Sequence, residues 1–210
     1  MSSLSNSKVA MFICSLWVVV SLHGCKDSVH NKDVQLRIAL LEYKVAEVAD
    51  KQAIHDVLNR YARALDWLDE KRLDRVFFDD AVIDFGFFKG TGEDFKPVVM
   101  DVERNLGRRW HQTTQASINL RGDFADVESY GIAFGSSDSV AVADSELGLY
   151  VGYYQDKFAK RDGEWGIIYR KYIMVSAIMM QEMLLDGDLS VMHKIGKASV
   201  NSPDYRDVGN

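Results

Sequence analysis

Two cysteines, two prolines and no surplus of basic residues distinguish this 210-residue chain, and each scarcity closes off a class of function. Cys14 lies inside an apolar N-terminal stretch and Cys25 ends it. From residue 26 onward the sequence has no means of making a disulfide, a thiolate nucleophile or a cysteine metal site. No two histidines stand at ligand spacing together with an acid, so no metal is expected. Lys and Arg number 25 against 31 Asp and Glu, for a formal net charge of -6. An acidic chain without a basic stripe is a poor binder of nucleic acid. With only Pro97 and Pro203, and 47% hydrophobic residues, the composition argues for a packed core over disorder. The length suits one domain with extensions.

A run long enough for a typical membrane span is also lacking. The apolar stretch 9–22 (VAMFICSLWVVVSL), preceded by Lys8, has the length of a secretory h-region. It ends in Leu22-His23-Gly24-Cys25, which resembles a bacterial lipobox, with His23 where a small residue is usual. The expected division is therefore a signal peptide over 1–25, a polar tether over 26–33, a folded domain over 34–185 and a tail over 186–210. Cys25 is the expected lipidation site, and the lipid would be the membrane contact. Lys26, not an aspartate, follows the cysteine, which suggests an outer-membrane lipoprotein of the bacterial envelope facing the periplasm. An uncleaved signal anchor is the alternative.

Within the domain, Ile38, Leu41, Val45 and Val48 recur at helical intervals. Asp50 reads as the N-cap of a renewed helix, on which Ile54, Val57, Leu58, Tyr61, Leu65 and Leu68 form one apolar stripe. Leu73, Val76 and Phe77 suggest a short helix, 81–88 a strand, and 94–108 a helix that tolerates Pro97 only in its first turn. Strands are expected over 111–120, 125–134, 147–160 and 165–175, with turns at Arg121-Gly122-Asp123 and Asp162-Gly163. A helical turn over 179–185 and a disordered end from Gly196 complete the pattern. Helices followed by antiparallel strands define an α+β fold, a curved sheet wrapped against its helices, whose concave face suits a small-molecule pocket.

Several features coincide in order: YARALD (61–66), Asp80-Ala81, Asp84, Gly86 and Gly90; HQTTQASINLRGD (111–123); Glu128-Ser129-Tyr130; and Gly152-Tyr153, Asp162-Gly163, Trp165 and Arg170. This set resembles the SnoaL-like family of the nuclear transport factor 2-like superfamily over about 34–178. The resemblance implies a cone-shaped α+β barrel and cofactor-free elimination, dehydration or isomerisation of a small hydrophobic molecule. It also implies a homo-oligomer. Among such proteins, the hexachlorocyclohexane dehydrochlorinases and bile acid dehydratases resemble this chain most. Their histidine–aspartate pair falls on His111 and Asp66, their arginine on Arg170 and the dehydratase tyrosine on Tyr61. An asparagine often follows the histidine by four positions; here that residue is Gln115, a candidate substrate contact.

The chemistry of these residues can be argued on its own. Imidazole titrates near neutrality, which makes His111 the candidate base, with Asp66 orienting it. Arg170 is the candidate stabiliser of a developing anion, and Tyr61 a hydrogen-bond donor. A helical wheel puts Asp66 about 130° from the centre of the apolar stripe and Asp69 about 70° away, so pattern favours Asp69 as the pocket acid while resemblance favours Asp66. A non-catalytic lipoprotein that binds a hydrophobic ligand on the same fold is the competing expectation.

Overall fold

The computed structural model describes residues 7–137, 146–181, 191 and 197–208, with side chains from residue 31 onward. Helix α1 spans Ser7–Trp67 without a break. The expected leader and Cys25 fall where no side chain is described, and the expected tether over 26–33 is helical. Asp50 caps nothing, because the helix passes through it. Its carboxylate instead accepts hydrogen bonds from Lys160 Nζ at 2.7 Å and Trp165 Nε1 at 2.8 Å. Burial opposes ionisation of Asp50, but these donors outweigh it and hold its carboxyl below the ordinary range.

The chain divides into two units, Met1–Val48 and Ala49–Asn210. The second contains α2 (Glu70–Leu73), β1 (Phe77–Asp84), β2 (Lys89–Thr91), α3 (Gly92–Arg104), β3 (Arg109–Arg121), β4 (Phe124–Ser136), β5 (Glu146–Arg161) and β6 (Glu164–Gln181). The strands form one curved, unclosed sheet in the order β2-β1-β6-β5-β4-β3. Every pairing is antiparallel except β1 with β6, which run parallel, a departure from the all-antiparallel expectation. The Asp162-Gly163 turn is as expected, with both residues at positive φ (52° and 84°), as a tight right-twisting hairpin requires.

The stripe on α1 is the centre of the core: Ile54, Val57, Leu58, Tyr61 and Leu65 are each at most 2% exposed. They meet Phe77, Ile83, Phe95, Phe158 and Ile167 from β1, α3, β5 and β6. Each such side chain contributes roughly 1.5–3 kcal/mol by leaving water. Several element boundaries moved: the strand expected over 81–88 ends at Asp84, and the helix expected to run to 108 ends at Arg104, so that β3 starts at Arg109. Phe77 opens β1 instead of ending a helix, because its ring is needed against Tyr61 and Phe95. The 94–108 helix starts earlier, capped by Thr91, whose hydroxyl accepts from the Asp94 N–H. Pro97 thus falls in the second turn, where it has no N–H to offer the carbonyl of Glu93, an exposed residue. Strand β6 continues to Gln181 where a helical turn was expected from 179; residues 182–185 lie outside those described.

The C-terminal residues are the largest correction. Residues 197–208 were expected to be disordered, yet they pack on the end of α1. Ala198 is buried, Tyr205 meets Trp67 edge-on at 5.5 Å, and Arg63 donates to the Arg206 carbonyl. These contacts join groups distant in sequence, a pattern that hydropathy does not register.

Candidate functional site

Two terminations bring Asp66 and His111 together. Helix α1 ends in a Schellman arrangement: Asp69 N–H donates to the Ala64 carbonyl and Leu68 N–H to the Leu65 carbonyl, with Leu68 at φ 52°. Asp66 therefore lies in the last turn, with its side chain turned towards the sheet. His111 reaches the same place through a β-bulge. On β3, Ile118 and Leu120 face the core, so strict alternation would turn His111 outward. Gln115, at φ 52°, inserts one extra residue between the Thr114–Tyr130 and Ser117–Glu128 pairs. Beyond the bulge, Thr113, His111 and Arg109 share the inner face with Gly131, Ala133 and Gly135 of β4. Gln115 itself is exposed and is not part of the site; its backbone, not its amide, matters.

His111 Nδ1 lies 2.8 Å from Asp66 Oδ1, and its Nε2 lies 3.4 Å from Glu103 Oε1. Glu103 is 5% exposed and was missed in the sequence. Its signal was nonetheless present: on α3 it continues the stripe Phe95, Val99 and Met100, an acid on an apolar face. Glu103 Oε2 accepts no hydrogen bond among the described residues and lies 3.8 Å from Arg109 Nε. The Arg109 guanidinium ties the site together through the carbonyls of Asp66, Leu106 and Ala198.

Burial disfavours charge on His111, but hydrogen bonds to Asp66 and Glu103 and their negative charges outweigh it and push the imidazole up to about 9. Burial also pushes the Asp66 carboxyl up, opposed by His111. With carboxylates at both ring nitrogens, the shared proton belongs on His111. The raised value favours the imidazolium at neutral pH.

Arg170 and Tyr61 form a second cluster. Arg170 is fully buried and makes two hydrogen bonds to Asp156, from Nε at 2.8 Å and Nη2 at 2.7 Å. Its guanidinium lies 4.5 Å from the centre of the Tyr61 ring and 4.3 Å from that of Tyr154. Its charge is already matched by Asp156, so Nη1, without a hydrogen-bond partner among the described residues, is what remains to meet an anion. Asp156 was also missed; it stands at the inward parity of Tyr154 and Phe158 on β5. Tyr154 lies across β4 where Gly131 has no side chain; a Cβ there would sit 2.7 Å from the ring. Neither the Tyr61 nor the Tyr154 hydroxyl has a hydrogen-bond partner among the described residues. Ser129, opposite Tyr154, has a buried hydroxyl likewise without a partner. Phe85, Phe95 and Tyr172 add an apolar wall, with Phe85 stacked on Phe95 at 4.8 Å and on Tyr172 at 5.5 Å. Asp69 takes no part. It accepts from Arg72 Nε and the Tyr205 hydroxyl, both at 2.8 Å, because the helix has ended before it and the wheel no longer applies.

Comparison with known proteins agrees with the α+β fold. The SnoaL-like domain family matches residues 46–171, and the chain belongs to it. An uncharacterised protein of Mycobacterium tuberculosis is 32% identical over 130 residues, 60% of this chain and 86% of the relative; one of Mycobacterium bovis matches equally. Among solved structures, a hexachlorocyclohexane dehydrochlorinase, LinA type 2, superposes with a TM-score of 0.59 at 17% identity, covering 68% of this chain and 96% of its own. A putative scytalone dehydratase from Novosphingobium aromaticivorans gives 0.56 at 18%, covering 74% and 96%. At these identities the likeness is one of fold, that of the nuclear transport factor 2-like superfamily.

Proposed function

We propose that this domain is a cofactor-free dehydratase for a small hydrophobic molecule carrying a hydroxyl group. The observation that carries this reading is His111 held between Asp66 and Glu103. Departing hydroxide must be protonated, whereas departing chloride need not be, so a charged histidine suits loss of water. In the reaction, the Glu103 carboxylate takes a proton from carbon and the electron pair of that C–H bond becomes the new double bond. The C–O bond breaks as His111 Nε2–H protonates the leaving oxygen, and water departs. Proton transfer from Glu103 back to His111 across their contact restores the starting state. Asp66 fixes the ring and stabilises its charge. Tyr61, Ser129 and Arg170 Nη1, each with unused hydrogen-bonding capacity, are the groups suited to the substrate's other polar atoms, and the aromatic wall suits its apolar body.

The test is turnover of hydroxylated and halogenated cyclic compounds, read by mass spectrometry. His111→Gln and Glu103→Gln are each expected to lower kcat by about 100-fold or more. The pH profile separates two mechanisms. With His111 as acid, kcat/KM falls as pH rises through about 9. With His111 as base, it rises there instead, which would overturn the assignment. Binding without conversion, unaffected by either variant, would support the non-catalytic carrier. We further propose that Cys25 carries a lipid that holds the domain at the bacterial envelope; the Leu22-His23-Gly24-Cys25 sequence supports this.

A further inference from the structure

Residues 31–46 of α1 are exposed on every side, and nearly all precede the family match, which begins at residue 46. A helical stretch of this length is marginal in water unless one face is packed. One face is built for packing. Val34, Ile38, Leu41, Val45 and Val48 follow one another at spacings of 4, 3, 4 and 3, and are between 37% and 68% exposed. That mean period of about 3.5 residues is the seam of a left-handed coiled coil.

Residue types along the seam say which coil. Numbered as a heptad, Asn31, Ile38 and Val45 occupy a, while Val34, Leu41 and Val48 occupy d. The central layer, β-branched Ile38 at a with Leu41 at d, has the pairing that favours two parallel strands, and the lone Asn31 at a sets register. The flanks agree. Arg37 at g and Glu42 at e stand five residues apart, so in a parallel pair each Arg37 faces Glu42 of the other copy. The competing apolar stripe, Leu36, Leu40 and Tyr43, is only three residues long, because the same spacing continues into Asp33 and Glu47. We propose that residues 31–48 pair with the same segment of a second copy as a parallel, in-register, two-stranded coiled coil.

Disulfide trapping tests this on the full-length chain in mild detergent. Cys14→Ser and Cys25→Ser leave an introduced cysteine as the sole thiol. Leu41→Cys and Val48→Cys are expected to oxidise to covalent dimers at least tenfold faster than Leu40→Cys and Tyr43→Cys. Adding Ile38→Asp to Val48→Cys should abolish the dimer. Equal rates at all four positions would mean chance collision and would overturn the proposal. So would mixed dimers between Val34→Cys and Val48→Cys chains, which mark an antiparallel pair. Dimers that survive Ile38→Asp would place association elsewhere, such as on the sheet. Loss of vesicle binding in Ile38→Asp, without seam-specific trapping, would assign the stripe to a lipid surface.

Discussion

His111 and Arg170 illustrate how differently two buried cations relate to their surroundings. The folded imidazole titrates at about 9, above the ordinary 6.5 of an unfolded chain. Its contribution to stability is therefore fully present below about 6.5 and is lost as pH rises through about 9. With a side chain only 13% exposed, the loss should be on the order of 2–3 kcal/mol. Urea unfolding at pH 6 and pH 9.5 should show this loss in the native protein and much less of it in His111→Gln; parallel curves would contradict it. Arg170 stays charged at any accessible pH, and its task is to neutralise Asp156, itself buried. Arg170→Met should destabilise by about 3–5 kcal/mol, because it strands a carboxylate in the core. The double change Arg170→Met with Asp156→Leu should recover most of that in urea unfolding. Without such recovery, the burden would lie in the guanidinium's packing over Tyr61 and Tyr154 rather than in charge.

At the scale of elements, one residue on β3 decides which face the histidine meets. Gln115 pays for the bulge with left-handed backbone, which opposes an ordinary side chain by about 1 kcal/mol. Gln115→Gly should therefore raise stability by about 0.5–1 kcal/mol in urea unfolding, with His111-dependent turnover retained. A loss of stability would mean that the exposed amide makes a contribution of its own. The same reasoning gives a backbone rationale for the asparagine that the family resemblance places there, since asparagine enters this region more readily than glutamine. Glu103 on α3 and Asp66 on α1 then approach from opposite sides, so three elements each supply one member of the centre.

For the whole molecule, the proposed lipid on Cys25 would set where the proposed chemistry takes place. Cys25→Ser should abolish incorporation of labelled fatty acid in a bacterial host; labelling that persists would remove Cys25 as the acceptor. A mean hydropathy of -0.15 and a net charge of -6 are properties of an aqueous face. Among the described residues no helix is long and apolar enough to cross a membrane.

Local pattern was sufficient for much of this architecture. The α1 stripe, the four strands of the second half and the Asp162-Gly163 turn follow from periodicity and backbone preference, which act over a few residues. The pairing of Asp66 with His111 was legible only through the family resemblance, since the wheel pointed to Asp69. Four things required the tertiary structure. These are the parallel β1–β6 pairing, the bulge that turns His111 inward, Glu103 and Asp156 as buried acids, and residues 197–208 folded onto the end of α1. Each depends on contacts between residues distant in sequence, where burial decides a side chain's direction, its partner and, for His111, whether it carries a proton.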